Sequence, residues 1–261
     1  MSDQTDLPPP IIALCGKGGV GKTSLSALLT TILAADPKRR VLAVDADPAA
    51  GLAAALGLEV ARTVDDVRNE LIGRLRQGIR EEGRDMQALA DYRLFEALEE
   101  RDNIALLAIG RPESEGCYCR VNDFLKVLVG ELAAGFDAVV IDGEAGIEQV
   151  NRRVMTGVSH LVLVTDPSER GRRVAESIAD VAERAGMRAR IGLLVNRVRE
   201  EGEVRRIQAA TRLPVIGYVP EDEAVYRSAR EGLDMTGLTD NPARFALERA
   251  ASSFIGFRSA I

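Results

Sequence analysis

Residues 10–33 read PIIALCGKGGVGKTSLSALLTTIL: an apolar run, a glycine-rich loop and a second apolar segment with helical spacing. The loop from Gly16 to Thr23 fits G-x-x-x-x-G-K-[ST], and it stands between a predicted strand and a predicted helix, the context that this motif requires. Glycines in such a loop let backbone N–H groups close around phosphate oxygens at a helix N-terminus. The stretch predicts a nucleotide phosphate site in preference to a glycine-rich turn without function.

The loop also contains two lysines with different expected tasks. Lys22 is expected to reach the β and γ phosphates, and the Thr23 hydroxyl to ligate Mg²⁺. Because one lysine already serves the bound nucleotide, Lys17 is expected to reach phosphates held by another subunit, as an arginine finger in trans does. A solvated loop lysine is the alternative. The expected nucleotide-binding residues of the loop are Gly18, Gly19, Val20, Gly21, Lys22, Thr23 and Ser24.

Beyond the loop, short β-rich apolar runs alternate with longer stretches of helical period. The runs are mostly continuous, which is typical of strands covered on both faces. They predict an α/β fold: a doubly wound, mostly parallel sheet of seven or eight strands with helices on both faces and ligands at the carboxyl ends of the strands. The runs are residues 10–15, 40–46, 103–109, 136–142, 160–166, 190–196 and 213–219.

The length of 261 residues is near the upper end of what one hydrophobic core supports, so we expect a single domain over residues 1–261. Residues 1–9 are polar and rich in proline, which predicts a disordered lead-in and not a signal peptide. Residues 60–102 are a charged insertion with two stretches of helical spacing, and they predict two helices. The last residues, FIGFRSAI, are expected to belong to a packing helix.

The composition argues against several classes of protein. Three cysteines are too few for a disulfide framework, and no apolar stretch approaches the roughly 20 residues of a membrane span. A formal charge of −6 gives no broad basic field for nucleic acid. We therefore expect a cytoplasmic protein that binds neither nucleic acid nor membrane.

With Lys17 ahead of the G-K-T triplet, the chain resembles the deviant Walker A ATPases, which include the MinD and ParA proteins and the nitrogenase iron protein. The resemblance covers essentially the whole chain. It implies hydrolysis of ATP to ADP with Mg²⁺, and it implies that Lys17 acts across an ATP-sandwich dimer. The catalytic candidates are then Lys17, Lys22 and Asp47, with Asp47 orienting the attacking water.

Three aspartates end predicted strands. Asp45 and Asp47 are two residues apart and so lie on the same side of an extended segment. Asp142 ends an apolar run in the pattern in which a carboxylate holds Mg²⁺ at the sheet edge. We expect Asp142, Asp45 and Thr23 to be associated with Mg²⁺, and the alternative for each aspartate is a helix cap.

Asn196, Arg197 and Pro220 follow the sixth and seventh apolar runs. The resemblance implies that Asn196 hydrogen-bonds adenine and that backbone near Pro220 completes the base pocket, with Arg197 beside them. On chemistry alone, a turn residue is an equally good interpretation of Asn196.

Cys117 and Cys119 stand one residue apart in the stretch EGCYCR. Thiolates are soft ligands for Zn²⁺, Ni²⁺ or an iron–sulfur cluster, and structural zinc sites usually take four protein ligands. Two thiols become four when two chains meet on a two-fold axis, so the pair predicts half of a shared metal site. Unrelated loop cysteines are the alternative.

The single histidine, His160, is expected in the core or at a strand edge, and Cys15 is expected to be a small buried hydrophobe.

The stretches EGCYCRVN, DGEAGIE and DYRLFEALEE resemble those of CooC-type ATPases, which help to insert nickel into carbon monoxide dehydrogenase. This resemblance implies an ATP-hydrolysing metallochaperone that carries Ni²⁺, with Zn²⁺ as a competitor. It also implies a homodimer formed with ATP or metal, and a client such as carbon monoxide dehydrogenase. Two alternatives remain: a MinD- or ParA-like spatial organiser, and an electron donor with a bridging [4Fe–4S] cluster, although such donors use two well-separated cysteines.

Overall fold

The computed structural model describes residues 8–47, 51–77, 83–110, 119–143 and 157–257. Most of the predicted lead-in and the end of FIGFRSAI lie outside these ranges. The strands are β1 (Ile11–Gly16), β2 (Val41–Asp45), β3 (Leu98–Arg101), β4 (Ile104–Ala108), β5 (Ala138–Asp142), β6 (His160–Thr165), β7 (Arg190–Val198) and β8 (Val215–Pro220). The helices are α1 (Lys22–Leu33), α2 (Gly51–Ala55), α3 (Val64–Arg76), α4 (Gly83–Phe95), α5 (Cys119–Ala133), α6 (Glu169–Arg184), α7 (Glu201–Ala210), α8 (Glu223–Glu231) and α9 (Pro242–Ile255).

The eight strands form one sheet in the order β3-β4-β2-β5-β1-β6-β7-β8. The pairing of β3 with β4 is antiparallel, and the other six pairings are parallel. The predicted doubly wound, mostly parallel sheet is therefore confirmed. The carboxyl ends of the seven parallel strands meet at one side of the sheet, which we call the carboxyl edge.

Helices cover both faces of the sheet. Along β1, Ala13 and Cys15 belong to the core that includes residues of α3, α5 and α6, whereas Ile12 and Leu14 belong to the core under α1 and α9. Because successive strand residues point to opposite faces, a continuous apolar run such as IIALC has to be buried on both sides. This accounts for the absence of alternation in the sequence.

The insertion contains the two predicted helices, α3 and α4, but its end differs from the prediction. The stretch DYRLFEALEE has helical spacing throughout, yet α4 ends at Phe95 and the residues Leu98–Arg101 form β3. β3 pairs with β4 through a tight turn at Asp102, whose φ of 56° is left-handed. Arg101 fixes this hairpin because its guanidinium donates to the Leu56 carbonyl and to Asp234. Pairing with β4 thus overrides the local helical preference.

The helix α9 lies directly on β8 and ends at Ile255, so only the first two residues of FIGFRSAI belong to the expected packing helix. Gly256 ends the helix in a left-handed conformation. A Cβ atom added to Gly217 of β8 would lie 2.7 Å from the Ala250 Cβ atom of α9, so only glycine allows this close approach. His160, at the start of β6, is buried, and its ring packs edge-to-face with that of Phe254 of α9 at 5.4 Å between ring centres. Within the ranges that the structure describes, we find no helix with the length and apolar character needed to span a bilayer.

Candidate functional site

The phosphate loop joins β1 to α1 at the carboxyl edge. Gly19 and Gly21 have φ values of 81° and 92°, which glycine adopts without strain. A Cβ atom at Gly18 or Gly19 would have no atom within 4 Å, so there is open space beside the loop. Gly21 precedes α1 and supplies no side-chain cap. The first N–H groups of α1 therefore lack a capping side chain, and this end of the helix suits a phosphate group.

The two lysines of the loop have different surroundings. The Lys22 side chain is buried, and its Nζ atom lies 3.3 Å from the Lys17 carbonyl oxygen. Lys17 is about one-third exposed, and its Nζ atom lies 3.9 Å from Asp166 Oδ2, just after β6. The Lys22 side chain therefore contacts the backbone of its own loop. The Lys17 side chain is partly exposed and lies beside Asp166, an acidic residue that the sequence did not point to.

Asp45 and Asp142 lie side by side, because they are paired residues at the carboxyl ends of β2 and β5. Both are buried, and burial is the main reason why the pKa of each carboxyl group rises from 3.8 to about 6. The charge of Asp142 raises the pKa of Asp45 further. Hydrogen bonds from Thr23 and Ser26 act in the opposite direction at Asp142, and Ser26 Oγ donates to its Oδ1 atom at 3.0 Å.

These groups fit a divalent cation. Two neighbouring buried carboxylates repel each other, and a cation between hard oxygen donors would relieve that repulsion. The structure brings all three predicted Mg²⁺ residues together, since Thr23 hydrogen-bonds Asp142 and Asp142 is the ladder partner of Asp45.

Asp45 also caps a helix, which was the alternative interpretation. Its Oδ1 atom accepts a hydrogen bond from the Asp47 backbone N–H at 3.1 Å, and its Oδ2 atom accepts one from the Leu52 N–H at 2.9 Å. The carboxylate thereby holds the start of α2 and fixes the backbone that carries Asp47. Asp47, half-buried at the carboxyl edge, lies two residues beyond the buried acidic pair.

The three predicted base-site residues line a single pocket beside the start of α1, together with Gly21 and Ser24. Asn196 is buried, and its Nδ2 atom donates to the Val20 carbonyl at 2.7 Å, so its amide supports the phosphate loop. Arg197 has a left-handed φ of 58°. The Nδ2 bond leaves the carbonyl oxygen of Asn196 as the group that can accept from a ligand.

Several pocket residues were not found by sequence reasoning. Six of them follow Pro220, in α8, in the two residues before it and in α9, and the helical stretch directly after Pro220 is the sequence signal that points to them. The other two lie in α1 and β8. Asp222 connects α8 and α9, because one carboxylate oxygen accepts from the Ala224 and Val225 N–H groups and the other from Ala243. The additional lining residues are Leu25, Val219, Glu221, Asp222, Val225, Tyr226, Ala229 and Ala243.

The predicted cysteine site lies largely outside the described residues. Cys117 is outside them, and Cys119 is the first residue of α5, with a side chain that the structure does not describe. The helix α5 leads into the amino end of β5 and is about 22 Å long, so its first residue lies toward the carboxyl edge. No cluster of three or more histidine, cysteine or acidic side chains suited to a metal ion occurs in the described part of the chain.

Cys15, the remaining cysteine, is fully buried at the end of β1. Burial raises the pKa of its thiol to about 12, and the charge of Lys22 offsets this only in part. The environment agrees with the prediction of a small buried hydrophobe.

The sequence of residues 11–235 matches the family model CbiA, described as the CobQ/CobB/MinD/ParA nucleotide binding domain. An uncharacterised ATP-binding protein of Methanocaldococcus jannaschii is 35% identical, with 88% of this chain and 92% of that protein covered. Carbon monoxide dehydrogenase accessory protein CooC of Rhodospirillum rubrum is 30% identical, with 87% and 90% covered. The septum site-determining protein MinD of Pyrococcus horikoshii, solved with Mg-ADP, has the same fold, with a TM-score of 0.68, 24% identity and coverages of 94% and 95%.

Proposed function

The chain belongs to the CobQ/CobB/MinD/ParA family of P-loop nucleotide-binding proteins, and from this we propose that it is an ATP-hydrolysing metallochaperone for Ni²⁺. The observation that carries the proposal is that α5, which begins at Cys119, starts toward the same sheet edge as the phosphate loop with Lys17. Nucleotide and metal would then be bound on one surface. The relative CooC, named for carbon monoxide dehydrogenase, supports a nickel enzyme of that kind as the client.

The phosphate loop would bind the nucleotide through backbone N–H groups of Gly18 to Thr23, with Lys22 at the β and γ phosphates. Thr23, Asp142 and Asp45 would hold Mg²⁺, which supplies positive charge to the phosphate oxygens. Asp47 would orient the attacking water. Its position is fixed by the hydrogen bond from its own N–H to Asp45.

Lys17 would contribute to a second subunit. In the single chain its ammonium group is held at 3.9 Å from Asp166. A pair as exposed as this one is weak, about 0–1 kcal/mol, so phosphates of a facing subunit could readily compete for Lys17. ATP would therefore favour a homodimer.

In the dimer, Cys117 and Cys119 of each chain would provide four thiolates for one Ni²⁺. Zn²⁺ is the expected competitor, because such sites discriminate poorly between the two ions. Hydrolysis would separate the subunits and weaken the site, which releases the metal to the client. A coupling free energy of about 1–3 kcal/mol between ATP and metal would suffice.

Sedimentation velocity with Mg-ATP and Ni²⁺ tests the proposal. We expect the wild type to form a dimer with one Ni²⁺ per two chains, and the double variant Cys117→Ala, Cys119→Ala to lose nickel-induced dimerisation. Cys15→Ala is the matched control, because it removes a buried thiol and leaves the pair intact. If the double variant dimerises on nickel as readily as the wild type, the shared site is excluded.

A second experiment separates this function from that of a spatial organiser. With Mg-ATP, the protein is expected to remain in the supernatant when liposomes of anionic lipid or long duplex DNA are sedimented. Cosedimentation that depends on ATP would favour the organiser function instead.

A further inference from the structure

The last turn of α4 carries two strongly exposed aromatic side chains. Tyr92 is 58% exposed and Phe95 is 64% exposed, although Ala90 and Leu94 on the same helix are buried in the core. The two aromatic residues are three apart and so share one face of the helix. Together with Arg93 they form what we call the α4 patch. Two exposed aromatic rings beside a half-buried arginine have the composition of an interface hot spot.

The α4 patch lies at the carboxyl edge. Leu98 of β3 pairs with Leu107 of β4, one residue before Ala108, which pairs with Asp45. Phe95 stands three residues before Leu98 and is thus within about 10 Å of it along the chain. The patch and the acidic pair are therefore at the same end of the sheet.

Ion pairs hold the α4 patch against α3. Arg93 Nε lies 3.1 Å from Glu70 Oε1 of α3, and Arg93 Nη1 lies 2.6 Å from Glu96 Oε2. The Tyr92 hydroxyl also hydrogen-bonds Glu96, and the Arg93 guanidinium lies 5.7 Å from the centre of the Tyr92 ring. Arg62, just before α3, contacts both glutamates. Because these contacts hold Arg93 and Tyr92 in place, a partner that binds them would immobilise little additional freedom of those two side chains.

A partner that binds at the phosphate loop could also contact the α4 patch, because a stable interface is wider than the distance between them. A typical interface covers about 800 Å² on each protein, a disc of roughly 16 Å radius. The phosphate loop follows β1, and β3, which comes directly after the patch, is four strand positions away, about 19 Å at the usual spacing. That separation is smaller than the diameter of such a disc, about 32 Å, so one interface has room for Lys17, the start of α5 and the end of α4.

The charges around the α4 patch suit a second copy of this chain. In the proposed function the cysteine pairs lie on the dimer axis, and α5, which begins at Cys119, packs against α4. A surface close to a two-fold axis meets its own copy, so it has to be self-complementary. Arg62 and Arg93 pair with Glu70 and Glu96 within the chain, so these four side chains leave no net charge that would repel the same surface of a second copy.

We propose that Tyr92, Arg93 and Phe95 are a docking surface for the second subunit in the ATP- and nickel-dependent dimer. The proposal rests on the proposed function, since that function supplies the dimer and its axis. The proposal adds a contact surface on the insertion, residues 60–102. This part of the chain contributes none of the proposed nucleotide-binding or metal-binding residues.

The test is the dimer dissociation constant of the double variant Tyr92→Ser, Phe95→Ser, measured by sedimentation velocity with Ni²⁺ and a non-hydrolysable ATP analogue. We expect it to rise by about 30-fold or more, as for the loss of an interface hot spot. Leu75→Ser is the matched control: Leu75 is 47% exposed but lies at the opposite end of α3, about 18 Å from the carboxyl edge. Its dissociation constant is expected to be unchanged.

Fluorescent nucleotide binding by the monomers checks that both variants fold, and it is expected to match the wild type. If the wild type itself stays monomeric with nickel and nucleotide, the proposed function fails. If the wild type dimerises and the aromatic double variant dimerises equally well, the function stands and the docking surface is wrong. A Leu75 variant that weakens the dimer as strongly would also overturn the docking surface, because the effect would not be specific to the α4 patch.

Discussion

Asp45 and Asp142 are the residues at which pH should act on this molecule. The pKa of each carboxyl group rises from 3.8 to about 6 in the folded chain, so each stabilises the fold when it is protonated. That contribution is complete below pH 3.8 and is lost as the pH rises through about 6. For one such carboxyl group it amounts to about 3 kcal/mol. His160 acts in the opposite direction, because its pKa is lowered by burial.

We therefore expect Asp142→Asn to be more stable than the wild type at pH 7.5, by about 1–3 kcal/mol, and to lose that advantage near pH 4.5. Urea unfolding of the nucleotide-free proteins at both pH values measures the difference. The comparison cancels the titration of His160, which is common to both proteins. A difference that does not depend on pH would show that the Asp142 carboxyl group is not held at a raised pKa.

Cys15 should be chemically inert in the folded chain. Its thiol is buried and has a pKa of about 12, so very little reactive thiolate exists at pH 8. After treatment with iodoacetamide at pH 8, mass spectrometry is expected to find Cys15 unmodified in the native protein and alkylated in urea. Alkylation at similar rates in both conditions would contradict this assignment.

At the scale of elements, the close contact between β8 and α9 should tolerate no added atom. We expect Gly217→Ala to lower the free energy of unfolding by about 1–3 kcal/mol, because the new methyl group would overlap Ala250. Gly237→Ala is the control, since a Cβ atom there has no atom within 4 Å. Equal stability of the two variants in urea would mean that α9 shifts without cost.

Local sequence patterns predicted most of the helices and strands. They failed where pairing with a distant segment determines the secondary structure. Seven continuous apolar runs predicted seven strands, because a strand that is buried on both faces is apolar at every position. β3 was missed, since Leu98–Arg101 is rich in residues that favour helices and becomes a strand only by pairing with β4.

The same distinction applies to the site. The phosphate loop and Asp142 are local motifs and were predicted. The contact of Lys17 with Asp166 and the pocket residues Val225 and Tyr226 depend on the order of strands, which no motif encodes.

At the scale of the whole molecule, substitution of Lys17 should separate ATP binding from ATP hydrolysis. If Lys17 acts across the dimer, Lys17→Ala should bind ATP as tightly as the wild type but hydrolyse it at least about 10³-fold more slowly, the loss seen for a residue supplied in trans. Equilibrium binding of a fluorescent nucleotide and phosphate release measure the two quantities. Lys22→Ala is the comparison and is expected to lose binding. If the Lys17 variant hydrolyses ATP at the wild-type rate, Lys17 is a solvated loop lysine without a role in hydrolysis.

The two outer strands determine how the molecule behaves at high concentration. β3, the outermost described strand on its side of the sheet, is short and carries Glu99, Glu100 and Arg101, of which the first and last bind the segment 56–61. β8 ends in Pro220 and is covered by α9. Charges, short length and proline are the features that prevent strands of separate molecules from pairing. Concentrated samples should therefore resist aggregation through the sheet, and larger assemblies of this chain should not grow as a continuous sheet.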